Sequence, residues 1–194
     1  MHRASATLVA ALVLLVGPLS ALAAWLDWDS PVQWNQPGSA VPQPPRVEGN
    51  DDPRCRDGER PAETPEDRAV AAKGWRLFHD YQAGWGLKMI WALSGYDGMC
   101  RPWGYQVLVF VRGVFAGTLS PRPMDARVDA SLFSVQLLSR LAGADPLVAT
   151  FQRYAGTDPL CCPSRRTVVR YRVDQSQGSP FLVPVSASTS PAER

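Results

Sequence analysis

The hydrophobic period of this chain changes once, near Gly86, and that change constrains the fold more than any other feature of the sequence. Before it, Val70, Gly74, Leu77, Phe78 and Tyr81 recur at helical spacing, with Arg68, Lys73, Arg76 and Asp80 elsewhere on the wheel. Thr64 is placed to cap such a helix, Pro65 suits its first turn, and Asp67 completes a capping box. The expected helix runs from Pro65 to Gly84 and Gly86, which end it. Beyond Gly86 the apolar residues alternate. Leu87, Met89, Trp91 and Leu93 interleave with Lys88, Ile90 and Ala92 in a first strand, and a turn-rich stretch follows over 94–98. Strands over 106–111 and 114–119 flank Arg112-Gly113, a two-residue hairpin turn. Further strands are expected over 133–137 (Phe133, Val135 and Leu137 on one face), 147–154 and 167–173. One helix followed by strands on short turns predicts an α+β fold, an antiparallel meander of five or six strands packed on one N-terminal helix. No nucleotide-binding βαβ pattern and no internal repeat is present.

The segments outside this core have different characters. Residues 1–23 have the parts of a secretory leader: a basic start at Arg3, an apolar run over 8–16, a break at Gly17-Pro18, and small residues at Ala21 and Ala23 before the expected cleavage. The run is short for a membrane span of about 20 residues. Residues 24–64 read as a Pro-rich arm, because Pro31, Pro37, Pro42, Pro44, Pro45, Pro53 and Pro61 each remove a donor and fix φ. Trp25, Trp28 and Trp34 in this arm are candidate binding residues for a sugar, and docking onto the domain is the blander use for them. The stapled domain is expected over 65–177, and the Ser/Pro/Ala-rich residues 178–194 as a mobile tail.

Export implies an oxidising compartment, periplasmic or extracellular, so the four cysteines are expected to be bonded. Cys55, Cys100, Cys161 and Cys162 allow three pairings. Neighbouring residues of an extended chain point to opposite sides, which favours separate partners for Cys161 and Cys162. A bond between them would close a strained ring and make a labile, redox-active pair, whereas Cys55–Cys100 would clamp the arm onto the core.

The chemistry on offer is limited. Loss of Arg3 with the leader brings the 20 basic residues to one more than the 18 acidic ones, which gives no electrostatic case for nucleic acid. The basic residues are nearly all arginine, only Lys73 and Lys88 being lysine, and the guanidinium fork suits carboxylate or phosphate. Arg165, Arg166, Arg170 and Arg172 cluster in the last expected strand as a candidate anion site or a solvated outer face. His79 has no serine in a nucleophile context to act on. Met89, Met99 and Met124 are scattered, and no zinc or calcium spacing occurs, so no cofactor or metal is expected. The charged loop over 120–129 reads as a site of local ion pairs, a functional loop or a sheet cover.

Three runs carry a family resemblance: Asp-Gly-Met-Cys from Asp97, Val-Phe-Val-Arg-Gly-Val-Phe-Ala-Gly-Thr-Leu-Ser-Pro from Val109, and Tyr-Ala-Gly-Thr-Asp-Pro-Leu-Cys-Cys-Pro-Ser from Tyr154. Over Asp97 to Val173 the chain resembles secreted bacterial proteins related to the LppP/LprE-type lipoproteins. The resemblance implies a small envelope domain of unassigned biochemistry and transfers no catalytic residue. It also implies a bond between Cys161 and Cys162, because similar proteins carry the Cys-Cys-Pro run without other core cysteines. Cys55 and Cys100 are then left to each other. No lipidation cysteine stands near the cleavage site, so no membrane anchor is expected after cleavage. The functional expectation is an exported, non-enzymatic envelope protein that binds a protein partner or a small ligand. The alternative is a thiol-redox or copper-handling protein using Cys161 and Cys162.

Overall fold

A computed structural model describes residues 24–27, 32–49, 52–138 and 147–192. The expected leader and Trp28 lie outside the described residues. In chain order the elements are α1 (Pro65–Ala71), β1 (Arg76–Leu77), β2 (Gln82–Gly84), β3 (Leu87–Leu93), β4 (Gly95–Tyr96), β5 (Pro102–Trp103), β6 (Gln106–Val111), β7 (Val114–Thr118), β8 (Leu132–Leu137), β9 (Leu147–Arg153), β10 (Arg165–Asp174) and β11 (Phe181–Pro191). The arm adds two short 3-10 turns, Ala24–Leu26 and Pro53–Arg56.

The fold is α+β with antiparallel sheets and one α-helix, but the strands do not form one meander. They divide between two sheets. The first has the order β1-β3-β6-β7 with β2 also paired to β3, and the second has the order β11-β10-β9-β8. β4, within the stretch expected as turns, and β5, just beyond it, make a separate small pair. The main core lies between the two sheets. Leu87, Met89, Leu93, Val107 and Val109 of the first meet Leu147, Phe151, Val169, Tyr171 and Leu182 of the second. Alternation along β3 sends Ile90 and Ala92 to the opposite face, into a second core with Val70 of α1, Trp75 and Phe110. The first sheet is thus covered on both sides, and all six residues of β6 are buried.

The capping box forms as expected. Thr64 Oγ1 accepts from the Asp67 amide, and Asp67 Oδ2 accepts from the Thr64 amide. The helix stops far earlier than its spacing predicts, at Ala71. Lys73 and Gly74 donate three residues back, to Val70 and Ala71, and Gly74 then takes φ +96°. Leu77 and Phe78, expected on the helix face, are buried from extended chain instead. The hairpin turn is as expected, with Arg112 and Gly113 both at positive φ. In β8 an irregular register between Leu132 and Ser134 corrects the expected face: Leu132 and Val135 point inward, while Phe133 is 48% exposed.

Two outer segments also differ from expectation. The residues expected as a tail form β11, whose backbone pairs with all of β10. Leu182 and Ala187 bury its inner side in the main core. The described part of the arm is irregular apart from its two 3-10 turns, as its prolines require, yet it is tied to the core at several points. Pro42 O accepts from the Trp75 indole at 2.7 Å, and Pro45 O accepts from Ser94 Oγ at 2.8 Å.

Asp67 is buried, and Arg60 donates to it at 2.7 Å. Burial alone would raise its pKa, but Arg60 and the two Thr64 bonds outweigh burial and hold it at about 2, from 3.8. A depressed carboxylate stabilises the fold above pH 4, and that contribution is lost as the pH falls through about 2. Asp67→Asn is expected to lower stability by about 2 kcal/mol at neutral pH. Urea denaturation of both proteins from pH 6 to pH 2 checks this: their curves should converge at the acid end.

Candidate functional site

A two-sheet body has two seams where the sheet edges meet, and this chain treats them differently. Between β7 and β11 the arm fills the seam. The Asn35 side-chain amide donates to Thr118 O and to Leu182 O, both at 3.1 Å, and its Oδ1 accepts from the Thr118 amide at 2.8 Å. One buried side chain therefore satisfies backbone groups of both edge strands. Gln33 Nε2 also donates to Leu182 O, and the Trp34 indole donates to Thr118 at 3.2 Å. Trp25 packs edge-on against Trp34 and Phe151, with ring centroids 4.9 and 5.1 Å away. Arg153 ties the arm to β9 through Asp27 at 2.7 Å, and also pairs with Asp129 at 3.0 Å.

The opposite seam, between β8 and the β1–β2 edge of the first sheet, holds an open cleft of about 520 Å³. Its first wall carries Phe78, Gln82, Trp91 and Tyr105, and its second carries residues 131–135 and Gln152. His79, Asp80 and Arg127 stand at the cleft. His79 sits at φ +56° where the chain turns from β1 to β2, its amide donating to Gly58 O and its carbonyl accepting from Arg60. Tyr105 crosses between the sheets, and its hydroxyl accepts from the Leu132 amide at 2.8 Å. Burial pushes that phenol's pKa well up, so it stays protonated and keeps its own proton for a further acceptor. Ser131 Oγ and Tyr154 Oη both reach Gln152 Oε1, at 3.1 and 3.2 Å. Aromatic faces with hydrogen-bonding groups around them, Asp80 and Arg127 included, suit binding of a polar ligand with a flat or apolar side.

The sequence-nominated residues fall in four places. Cys55 is bonded to Cys100, so the arm is clamped to the core, and Cys161 is bonded to Cys162 in an exposed turn. The separate-partner geometry for Cys161 and Cys162 is not adopted. Trp25 is buried and Trp34 half-buried against the core, so the arm docks through both. Arg170 and Arg172 are exposed on the outer side of β10, Arg166 is half-exposed there, and Arg165 is exposed at its start. His79 stands at the cleft, and so do Ala126 and Arg127 of the loop over 120–129. In the charged loop over 120–129 Ser120 Oγ donates to Arg122 O, Asp125 accepts from the Gly104 amide, and Asp129 takes Arg153 and the Tyr154 amide.

Trp91, Tyr105, Gln82 and Gln152 were not legible as a site, because they come from four separate segments. The half-polar environment of Trp91 within an apolar strand carries no signal in the sequence. Among the described residues no helix is long and apolar enough to cross a membrane, and no group of three or more His, Cys, Asp or Glu side chains is placed to hold a metal ion.

No curated protein and no solved structure matches the chain. Residues 80–176, from just before β2 to just beyond β10, match the LppP/LprE lipoprotein family, and most of the cleft lies within them. With half of its residues matched, this chain belongs to the LppP/LprE lipoprotein family, a group of envelope-associated proteins.

Proposed function

We propose that the protein is an exported, non-enzymatic envelope protein that binds a small ligand in the open seam. On this reading the leader is removed, no lipid anchor is attached, and the mature chain works in the periplasm or outside the cell without a cofactor. The observation that carries the proposal is the contrast between the seams. The arm satisfies the sheet edges between β7 and β11, while the cleft beside β8 stays open and is lined by aromatic and hydrogen-bonding side chains.

Amide-detected NMR titration of the mature protein with a panel of monosaccharides, dipeptides and phenol tests it. Shift changes are expected at Gln82, at the Trp91 indole and along residues 131–135. Gln82→Ala and Trp91→Leu should each weaken the response by about five- to tenfold, the loss of one or two ligand contacts. Shifts confined to other surfaces, or no shift with any probe, would refute the reading.

The second reading is thiol-redox or copper handling at Cys161 and Cys162, favoured by the exposure of both residues. Thiol titration under mild reductant separates the two. Two rapidly released thiols with retained fold support the redox reading, and resistance until unfolding opposes it.

A further inference from the structure

The outer face of the second sheet has an uneven distribution of charge. Alternation along β10 buries Thr167, Val169 and Tyr171 and turns Arg166, Arg170 and Arg172 outward in one file. Strand register places hydroxyl residues beside that file. Ser190 lies opposite Arg166, Ser188 opposite Val168 and Ser186 opposite Arg170, all on β11, while Thr150 of β9 lies opposite Val168 on the other side. The strands of this sheet carry a single acidic residue, Asp174, which stands 3.9 Å from Arg172. Arg166 is held flat, its guanidinium 3.8 Å from the centroid of the Phe133 ring that the irregularity in β8 turns outward. Its Nε has no hydrogen-bond partner among the described residues. A chain whose charges nearly cancel overall thus sets three arginines in a line on one open sheet face, with one carboxylate beside them.

We propose that this face binds a linear anionic polymer of the envelope, one bearing phosphate groups along a hydroxylated backbone. Arg170 and Arg172 stand about 7 Å apart along the strand and Arg166 about 13 Å further, a single line rather than a broad patch. A line of forked donors matches charges repeated along one chain. The flanking serine and threonine hydroxyls can serve the uncharged oxygens between phosphates. A bilayer surface would instead call for cations spread over an area. The inference does not depend on the cleft.

The test uses the mature protein, linear inorganic polyphosphate as the probe, and vesicles of phosphatidylglycerol or of phosphatidylcholine as comparisons. Polyphosphate is expected to bind at low salt, with an association constant falling with about the second power of salt concentration, as three phosphate contacts require. Combined Arg166→Gln, Arg170→Gln and Arg172→Gln should weaken binding by more than about tenfold. Arg170→Gln alone keeps the test readable should the triple variant lose stability, and Arg122→Gln, on the loop after β7, should leave binding unchanged. Absence of polyphosphate binding, equal binding by the triple variant, or tighter binding to phosphatidylglycerol vesicles than to polyphosphate would overturn the proposal.

Discussion

Gly117→Ala is expected to destabilise the protein by about 3 kcal/mol, because an added Cβ there meets the tightest clash of any described glycine. Gly117 lies in β7 at φ +131°, a conformation that side chains avoid. A Cβ there would stand 2.2 Å from both Cγ and Oδ1 of Asn35. Asn35 cannot retreat without giving up its bonds to Thr118 and Leu182, which leaves buried edge-strand groups without partners. Equilibrium urea denaturation measures the loss. A double-mutant cycle with Asn35→Ala adds the diagnostic feature: the pair should cost clearly less than the sum of the two single changes, because the clash needs both side chains. Additive costs would mean that the arm does not occupy this seam.

Breaking Cys55–Cys100 is expected to cost about 4 kcal/mol by chain entropy, given the separation of 45 residues. This bond joins the arm to the turn between β4 and β5, so its loss frees a long segment of the unfolded chain. Cys161–Cys162 joins neighbours and encloses no such segment. Cys161→Ser with Cys162→Ser should therefore change stability by less than about 1 kcal/mol. Denaturation of the two double variants beside the parent provides the comparison. Equal effects from the two pairs would contradict the assignment of the staple to Cys55 and Cys100.

Local chemistry was the legible part of this fold. The Thr64–Asp67 cap, the Arg112-Gly113 turn and the strand β3 each depend on a few neighbouring residues, and each forms where the sequence placed it. Helix length was not legible, because Leu77 and Phe78 sit at spacings from Val70 that fit a helix as well as two layers of extended chain. Gly74 decides between them, and its positive φ appears only in the folded chain. The division into two sheets was hidden because alternation tells which side of a strand is buried, not which strand lies across from it. β11 was missed for a related reason. Ser186, Ser188 and Ser190 resemble a linker in composition, and of the positions between them only Ala187 is buried. The cleft depends on all of these at once, since Trp91 and Gln152 meet only after the two sheets stack. The arginine file could be named from its spacing in β10, but the hydroxyls beside it required the register of β11.

Backbone hydrogen exchange followed by NMR on the mature protein tests the asymmetry of the two seams most directly. The Thr118 amide, bonded to Asn35 Oδ1 beneath the arm, should exchange only on global unfolding. The amides of β8 that point away from β9, apart from that of Leu132, which donates to Tyr105, should exchange orders of magnitude faster under native conditions. Equal, near-global protection on both sides would show that each seam is closed, and the open binding cleft would have to be abandoned.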